Sequence, residues 1–435
     1  MIKKSGYLFL GTLMLGIFEG MLMGFVYFLI FSSILFFSVA SEIILFNVYT
    51  TSGLRSMDVA RFVDTNYVRK GGKLGVRLKF HNKSSRKIAF HYYDTLSDVF
   101  TISGPSEGYI SLSGGETREI DYALSAWAVG KYAVGPVIVY SEDPMKLCVS
   151  SYKLEKSIDV KVSPSLSEIT NSRSGLVSNI KFTSGIHKSR VIGQGYNFYG
   201  VRPYVISDEF RYIAWSRYGT QTGEDIYIKQ MEEERQLDVY FVLDYSESSN
   251  FGYKTKRMYD RMIVSSINAA YMVLKNRDGA GFLLYSSVHD TFIPVTRSDE
   301  SIRKLETKVA EIRPEGRFDL MRCLQRAGEE IKKNALIILV SPMFNADQFR
   351  SPHGSLFRAG KRFALILLSP TEFVEWKDED KNYTTLMRSA LVSRSAQIKQ
   401  ISRSLNQAGL KTIVAEDSTL QRRLAVEYQY EKMVQ

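Results

Sequence analysis

With 435 residues, 45% of them hydrophobic and 24% charged, the chain has room for two or three globular domains and is too apolar to be disordered. Its two cysteines, Cys148 and Cys323, exclude a disulfide framework and a cysteine-ligated zinc site, and suit a reducing compartment. A formal charge of +11 favours anionic partners, but the basic residues are scattered, the densest group is Arg69, Lys70 and Lys73, and no nucleic-acid motif accompanies them.

From Gly6 to Tyr49 the sequence is almost wholly apolar, broken mainly by Glu19 and Glu42. One spanning helix needs about 20 apolar residues, so residues 1–50 predict a transmembrane helical hairpin with a short turn marked by Glu19-Gly20 and Gly24. A secretory signal would have a shorter apolar core followed by a small-residue cleavage site. Lys3 and Lys4 precede the hairpin, and Arg55, Arg61, Arg69, Lys70 and Lys73 follow it. The positive-inside rule then puts both termini and all later domains on the cytoplasmic side of the cell membrane. Glu19 is expected at the hairpin tip, in or near water, rather than as an intramembrane functional carboxylate.

Between residues 57 and 163 the period is two. Leu74, Val76, Leu78 and Phe80 alternate with Gly75, Arg77 and Lys79, and Gly- and Asn-rich turns separate such runs. This predicts an Ig-like β-sandwich, with 130–147 as a strand pair closing it. Residues 163–189 are serine-rich and read as a linker; the segment 164–236 is linker plus a dense aromatic and charged stretch.

From residue 237 to 435 strand and helix patterns alternate. Buried strands are expected at 239–243, 280–285, 335–340, 363–368 and 411–414, with an antiparallel edge strand at 292–295. Helices are expected at 254–274, 299–312, 319–333 and 393–408 and at the C-terminus. The pattern predicts a doubly wound α/β domain whose ligands meet the carboxyl ends of its strands. Asp244 stands at that end of the first strand, in Asp244-x-Ser246-x-Ser248.

This Asp-x-Ser-x-Ser run resembles the first loop of the metal-ion-dependent adhesion site of von Willebrand factor A domains. The preceding residues Gly193, Gly195, Phe198, Gly200, Val201, Arg202, Pro203, Tyr204, Asp208, Phe210, Arg211, Ile213 and Trp215, with Met231 to Arg235, resemble the prokaryotic family called domain of unknown function 58. The order of membrane hairpin, β-domain and α/β domain is similar too. The resemblance implies a membrane-anchored protein associated with a MoxR-type AAA+ ATPase, and a von Willebrand factor A-like domain. It also implies a possible Mg²⁺ site at Asp244, Ser246 and Ser248, oxygen ligands that suit that ion. This sequence departs from the pattern. The second loop reads Arg317-Phe318-Asp319-Leu320, with Phe318 where a threonine ligand belongs, and the third strand ends Ser341-Pro342, without an aspartate. Asp319 and Asp347 lie nearby in sequence. The site is therefore expected to be degenerate, with Asp244 and the serines satisfying loop backbone and capping the following helix.

Arg202, Asp208, Arg211 and Trp215 fit two readings: a partner-binding surface, or an internal clasp in which the arginines pair with Asp208 or Glu209 and Trp215 packs under the linker. The run from Met231 to Arg235 reads as a solvated turn. The five histidines show no metal or triad spacing, and no phosphate loop, nucleophile elbow or dinucleotide fingerprint is present. The expected function is a non-catalytic, membrane-anchored adaptor for a MoxR-type ATPase and its client proteins in complex assembly. The alternatives are a non-catalytic subunit of an envelope-associated enzyme system, or a basic surface for anionic lipid or nucleic acid.

Overall fold

The computed structural model describes residues 2–143, 145–154, 157–165, 168, 192–217, 226–232, 236–253, 255–332, 334–342, 362–374, 381–407 and 409–434. It divides into two compact units: Met1–Ser163 with Ala310–Ile312, and Pro164–Val309 with Arg313–Gln435. Most of the expected 163–189 linker lies outside the described residues.

The first unit begins with two helices, α1 (Lys4–Met23) and α2 (Val26–Arg55), both long and apolar enough to cross a membrane. Their large apolar side chains are mostly exposed. The turn falls at Gly24, whose φ of 70° is the left-handed conformation that glycine adopts without penalty. Glu19-Gly20 lies within α1 instead. Gly20 there is a close-packing site, because an added Cβ would come within 3.1 Å of the Leu29 backbone.

α2 runs without a break into the strands that follow. Ten strands make two sheets: β1 (Met57–Val63), β2 (Tyr67–Arg69), β3 (Lys73–Asn82), β4 (Ile88–Leu96), β5 (Phe100–Ser103), β6 (Glu107–Leu112), β7 (Thr117–Ala126), β8 (Gly130–Glu142), β9 (Val149–Lys153) and β10 (Ile158–Ser163). One sheet has the order β1-β3-β7-β5; the other has the order β2-β10-β8-β4-β6, with β9 paired to β8. The alternating side chains Leu74, Val76, Leu78 and Phe80 of β3 share one core with Phe90, Tyr92, Val137 and Val139 of the other sheet. The strand pair expected over 130–147 is one 13-residue strand, β8, whose partner β9 comes after it. Buried Tyr132 and Val134 give way to buried Val137 and Val139, so the period of two shifts by one residue at Gly135-Pro136, where the pairing with β4 is also irregular, and the strand continues without a turn.

Inside this core Arg61 donates to Asp94 at 2.6 Å and to the Val134 carbonyl at 2.8 Å, and Tyr122 also donates to Asp94. Burial pushes the Asp94 carboxyl above the usual range, opposed by the Tyr122 and Arg61 contacts. Gly135 (φ 99°) sits against the Arg61 guanidinium, where a Cβ would stand 2.0 Å from Nη1.

The second unit opens with a hairpin of β11 (Ile192–Pro203) and β12 (Tyr227–Glu232). Met231 and Glu232, expected in a turn, are the end of β12; residues 233–235 lie outside the described residues. The main sheet follows: β13 (Asp238–Asp244), a ribbon of β14 (Gly252–Tyr253) and β15 (Lys256–Arg257) beside it, then β16 (Gly279–Tyr285), β17 (Asp290–Thr296), β18 (Leu336–Ser341), β19 (Arg362–Leu368) and β20 (Thr412–Ala415). The helices are α3 (Met258–Lys275), α4 (Glu300–Glu311), α5 (Leu320–Glu330), α6 (Lys381–Gln407) and α7 (Asp417–Val434). The sheet order is β17-β16-β13-β18-β19-β20, parallel except for the antiparallel edge strand β17. This is the doubly wound arrangement, and the chain reverses its direction of travel across the sheet between β13 and β18. Tyr240 and Val242 face a core shared with α5 and α6, so the alternate Val239, Phe241 and Leu243 point to the opposite face.

Helix α6 starts at Lys381, well before the expected 393. Its first half leaves Leu386 and Val392 exposed, so no apolar stripe marked it in the sequence.

Candidate functional site

Asp244 ends β13 and Ser341 ends β18, so the two stand side by side at the switch point where ligands of such sheets bind. Both oxygens of Asp244 are already engaged. Oδ1 accepts the Ser246 backbone N–H at 2.9 Å, and Oδ2 accepts the Ser341 hydroxyl at 2.5 Å. The carboxyl is fully buried, and burial pushes its pKa up to about 6 against the pull of the Ser246 and Ser341 hydrogen bonds.

The serines of the loop look inward to each other. Ser246 Oγ and Ser248 Oγ are 2.7 Å apart, and the Ser249 hydroxyl donates to the Ser246 carbonyl at 2.7 Å. The expected helix capping by these serines does not occur: neither the short 3-10 turn Glu247–Asn250 nor α3 receives a side-chain cap. The reason is distance in the chain, since the β14–β15 ribbon intervenes before α3 begins.

The second loop closes over the first. Glu315 N–H donates to the Tyr245 carbonyl at 3.1 Å, and Glu247 N–H donates to the Gly316 carbonyl at 3.0 Å. Gly316 (φ 77°) is needed there, because a Cβ would meet Ser287 Oγ at 2.5 Å. Phe318 is buried in the α5–α6 side of the core, edge-on to Tyr285 with ring centroids 6.2 Å apart. Asp319 does not replace a ligand. It caps α5, accepting from the backbone N–H groups of Met321 at 3.0 Å and Arg322 at 3.2 Å. Asp347 lies outside the described residues. Cys323, on α5, is buried, and its thiol is raised well above the usual range by that burial and by the charge of Asp244.

A divalent ion needs oxygen lone pairs turned toward one open point. Here the carboxylate is consumed internally, an aromatic ring replaces a hydroxyl, and Pro342 brings no carboxylate. Among the described residues no three His, Cys, Asp or Glu side chains gather as a metal group. The residues present do not fit the ion that the loop sequence suggests.

The four signature residues fall into two behaviours. Arg202 clasps Asp208 through two bonds of 2.6 and 2.5 Å, and Asp208 also accepts the Val205 N–H at 2.9 Å. The Arg202 bond, then the Val205 one, holds the Asp208 carboxyl below the usual range. Arg211 pairs with Glu209 at 2.5 Å and lies over the Tyr212 ring. Trp215 is 63% exposed, and the linker it was expected to pack under lies mostly outside the described residues. Ile206 (95%) and Phe210 (73%), which sequence reasoning did not single out as contact residues, are exposed with it. Their position on a short loop between Pro203 and Ile213, too short to cover them, was the available signal.

Together these features define a doubly wound α/β domain with a serine-rich, self-satisfied loop at its switch point, preceded by a braced aromatic segment. Residues 200–372 match the family described as Protein of unknown function DUF58. Among solved structures the chain is similar to an aerotolerance-related membrane protein from Bacteroides fragilis NCTC 9343 with multiple mutations to serines (11% identity, 45% of this chain and 99% of that chain, TM-score 0.28). It is also similar to a FixG-related protein from Vibrio parahaemolyticus (14% identity, 24% and 97%, TM-score 0.18) and to the cupredoxin domain of amoB from Nitrosocaldus yellowstonii (10% identity, 25% and 88%, TM-score 0.19). Likeness this slight carries no functional argument. No curated protein matches the chain.

Proposed function

We propose that the protein is a non-catalytic adaptor, held at the cell membrane by α1 and α2 with both termini and its soluble units in the cytoplasm. On this reading the first unit is an Ig-like β-sandwich and the second is von Willebrand factor A-like. The second unit presents a protein-binding surface, with a MoxR-type AAA+ ATPase and its clients as the partners, and works without a metal ion.

The observation that carries this reading is the display of Ile206, Phe210 and Trp215 on a loop braced by Arg202 and Asp208. Large apolar side chains held out on a fixed backbone lose little entropy on docking, and Trp is a favoured anchor. The test is capture of a MoxR-type ATPase by the detergent-solubilised full chain. Phe210→Ser/Trp215→Ser is expected to abolish capture while the melting temperature stays unchanged. Undiminished capture by that variant would remove the surface from the argument.

A further inference from the structure

The exit of α2 toward the strands is surrounded by basic side chains carried on folded loops. At about 1.5 Å per residue, about 20 helical residues cross a hydrocarbon layer of about 30 Å. α1 has 20 residues, and α2 has 30. Since α2 joins α1 through the Gly24 turn, the excess of about 10 residues, roughly 15 Å, lies at its C-terminal end. Tyr49 thereby falls about 5 Å beyond the hydrocarbon, within the headgroup layer, where tyrosine is favoured.

Two loops of the first unit converge on this level. From the β3–β4 loop, the Arg86 guanidinium lies over the Tyr49 ring, 5.0 Å from its centroid, with Lys87 exposed beside it. From the β8–β9 loop, the Leu147 carbonyl accepts the Lys3 N–H at 2.8 Å, and Leu147 and Cys148 pack with Ile2 and with Phe9, Ile43 and Phe46 of the helices. Ser150 then meets Thr51 at 3.1 Å. Two hydrogen bonds close this second loop on Asp143, whose carboxylate accepts the Cys148 N–H at 2.6 Å and whose carbonyl accepts the Lys146 N–H at 2.9 Å. It holds Met145 and Lys146 exposed at the height of the start of α1. The carboxylates at the start of the second loop are Glu142, the last residue of β8, taken up by Lys3 at 2.8 Å, and Asp143, which is buried.

We propose that the β3–β4 and β8–β9 loops, with Lys4, form a collar that binds the headgroups of anionic phospholipids in the leaflet that α2 leaves. This rests on the membrane-hairpin reading of α1 and α2. The phosphate of the lipid meets Arg86, Lys87 and Lys146, while Met145 enters the acyl boundary.

The test uses the full chain in nanodiscs of phosphatidylcholine alone or mixed with phosphatidylglycerol, with co-purified lipid counted by mass spectrometry. One basic residue near the surface is worth about fivefold in affinity for anionic lipid. Arg86→Gln/Lys87→Gln/Lys146→Gln is therefore expected to lose the phosphatidylglycerol preference by about tenfold or more. The charge-conserving Lys87→Arg/Lys146→Arg should keep it, and melting temperatures control for folding. Equal retention of both lipids by the wild type, or an undiminished preference in the glutamine variant, overturns the collar. Displacement of phosphatidylglycerol by inorganic phosphate at matched concentration overturns the lipid assignment. Failure of the chain to enter nanodiscs at all overturns the membrane-hairpin reading itself, a distinct outcome from insertion without lipid preference.

Discussion

Asp244 offers the sharpest quantitative test of a metal-independent second unit. Its carboxyl rises from an ordinary 3.8 to about 6 on folding, with burial as the cause. A displacement of that size corresponds to roughly 3 kcal/mol. The sign follows from proton binding: between the two values the folded state holds the proton and the unfolded state does not. Stability of this unit therefore rises as pH falls from about 6 toward about 4, and above pH 6 the full cost of the buried charge is present. Asp244→Asn removes the charge and keeps the geometry, since its amide oxygen can accept from Ser246 N–H and its NH₂ can donate to the Ser341 hydroxyl. The variant is expected to be more stable than wild type by about 1–3 kcal/mol at pH 7.5, with the advantage gone near pH 4. Hydrogen exchange of the β13 amides in the detergent-solubilised chain, followed at pH 4.5, 6 and 7.5 with and without millimolar Mg²⁺, measures it. A variant less stable than wild type at pH 7.5, or an Asp244-dependent gain with Mg²⁺, would show that the carboxylate works charged and refute the reasoning.

Three further outcomes are expected. Gly135→Ala drives a methyl into the Arg61 guanidinium and should cost the first unit about 3–5 kcal/mol, the range for breaking a buried ion pair, seen as a lowered urea midpoint. Replacing the pair together, Arg61→Met/Asp94→Leu, should cost much less than Arg61→Met alone, which leaves Asp94 charged and buried; equal losses would argue against a pairing role. Asp319→Ala should cost about 1 kcal/mol through the lost cap of α5 and leave any effect of Mg²⁺ on melting unaltered, whereas a change in Mg²⁺ response would return Asp319 to the list of ligands.

The fold was legible wherever one face of an element is buried. The alternation Leu74, Val76, Leu78, Phe80 places β3, and the fully apolar runs of β13, β16, β18 and β19 read as buried parallel strands. Legibility failed where exposure hides the period, as in the first half of α6, and where pairing is non-local, as in the β11–β12 hairpin with its register shifts. The departures of Phe318 and Pro342 from the adhesion-site pattern were visible in the sequence. The consequence was not, because only the fold brings Ser341 across from β18 to occupy the second oxygen of Asp244. Likewise the exposure of Trp215 depends on what the chain leaves uncovered, and no local pattern encodes that.

The same reasoning gives the junction between helices and strands a physical role. Leu54, in the last turn of α2, is fully buried in the core of the two-sheet unit, and β1 starts two residues after the helix ends. Gly53 lets Ile88 of β4 approach closely, since an added Cβ would stand 3.2 Å from its Cδ1. A flexible tether would leave the first unit free to tumble above the bilayer. A helix whose final turn is part of a β-core cannot swivel without exposing that core. If α1 and α2 span the membrane, the attitude of the first unit to the bilayer is therefore set by packing. The converging β3–β4 and β8–β9 loops then bear on the headgroup layer as a consequence of the fold rather than of chance encounter, and the lipid preference measured in nanodiscs reads out that rigidity as well as the charge.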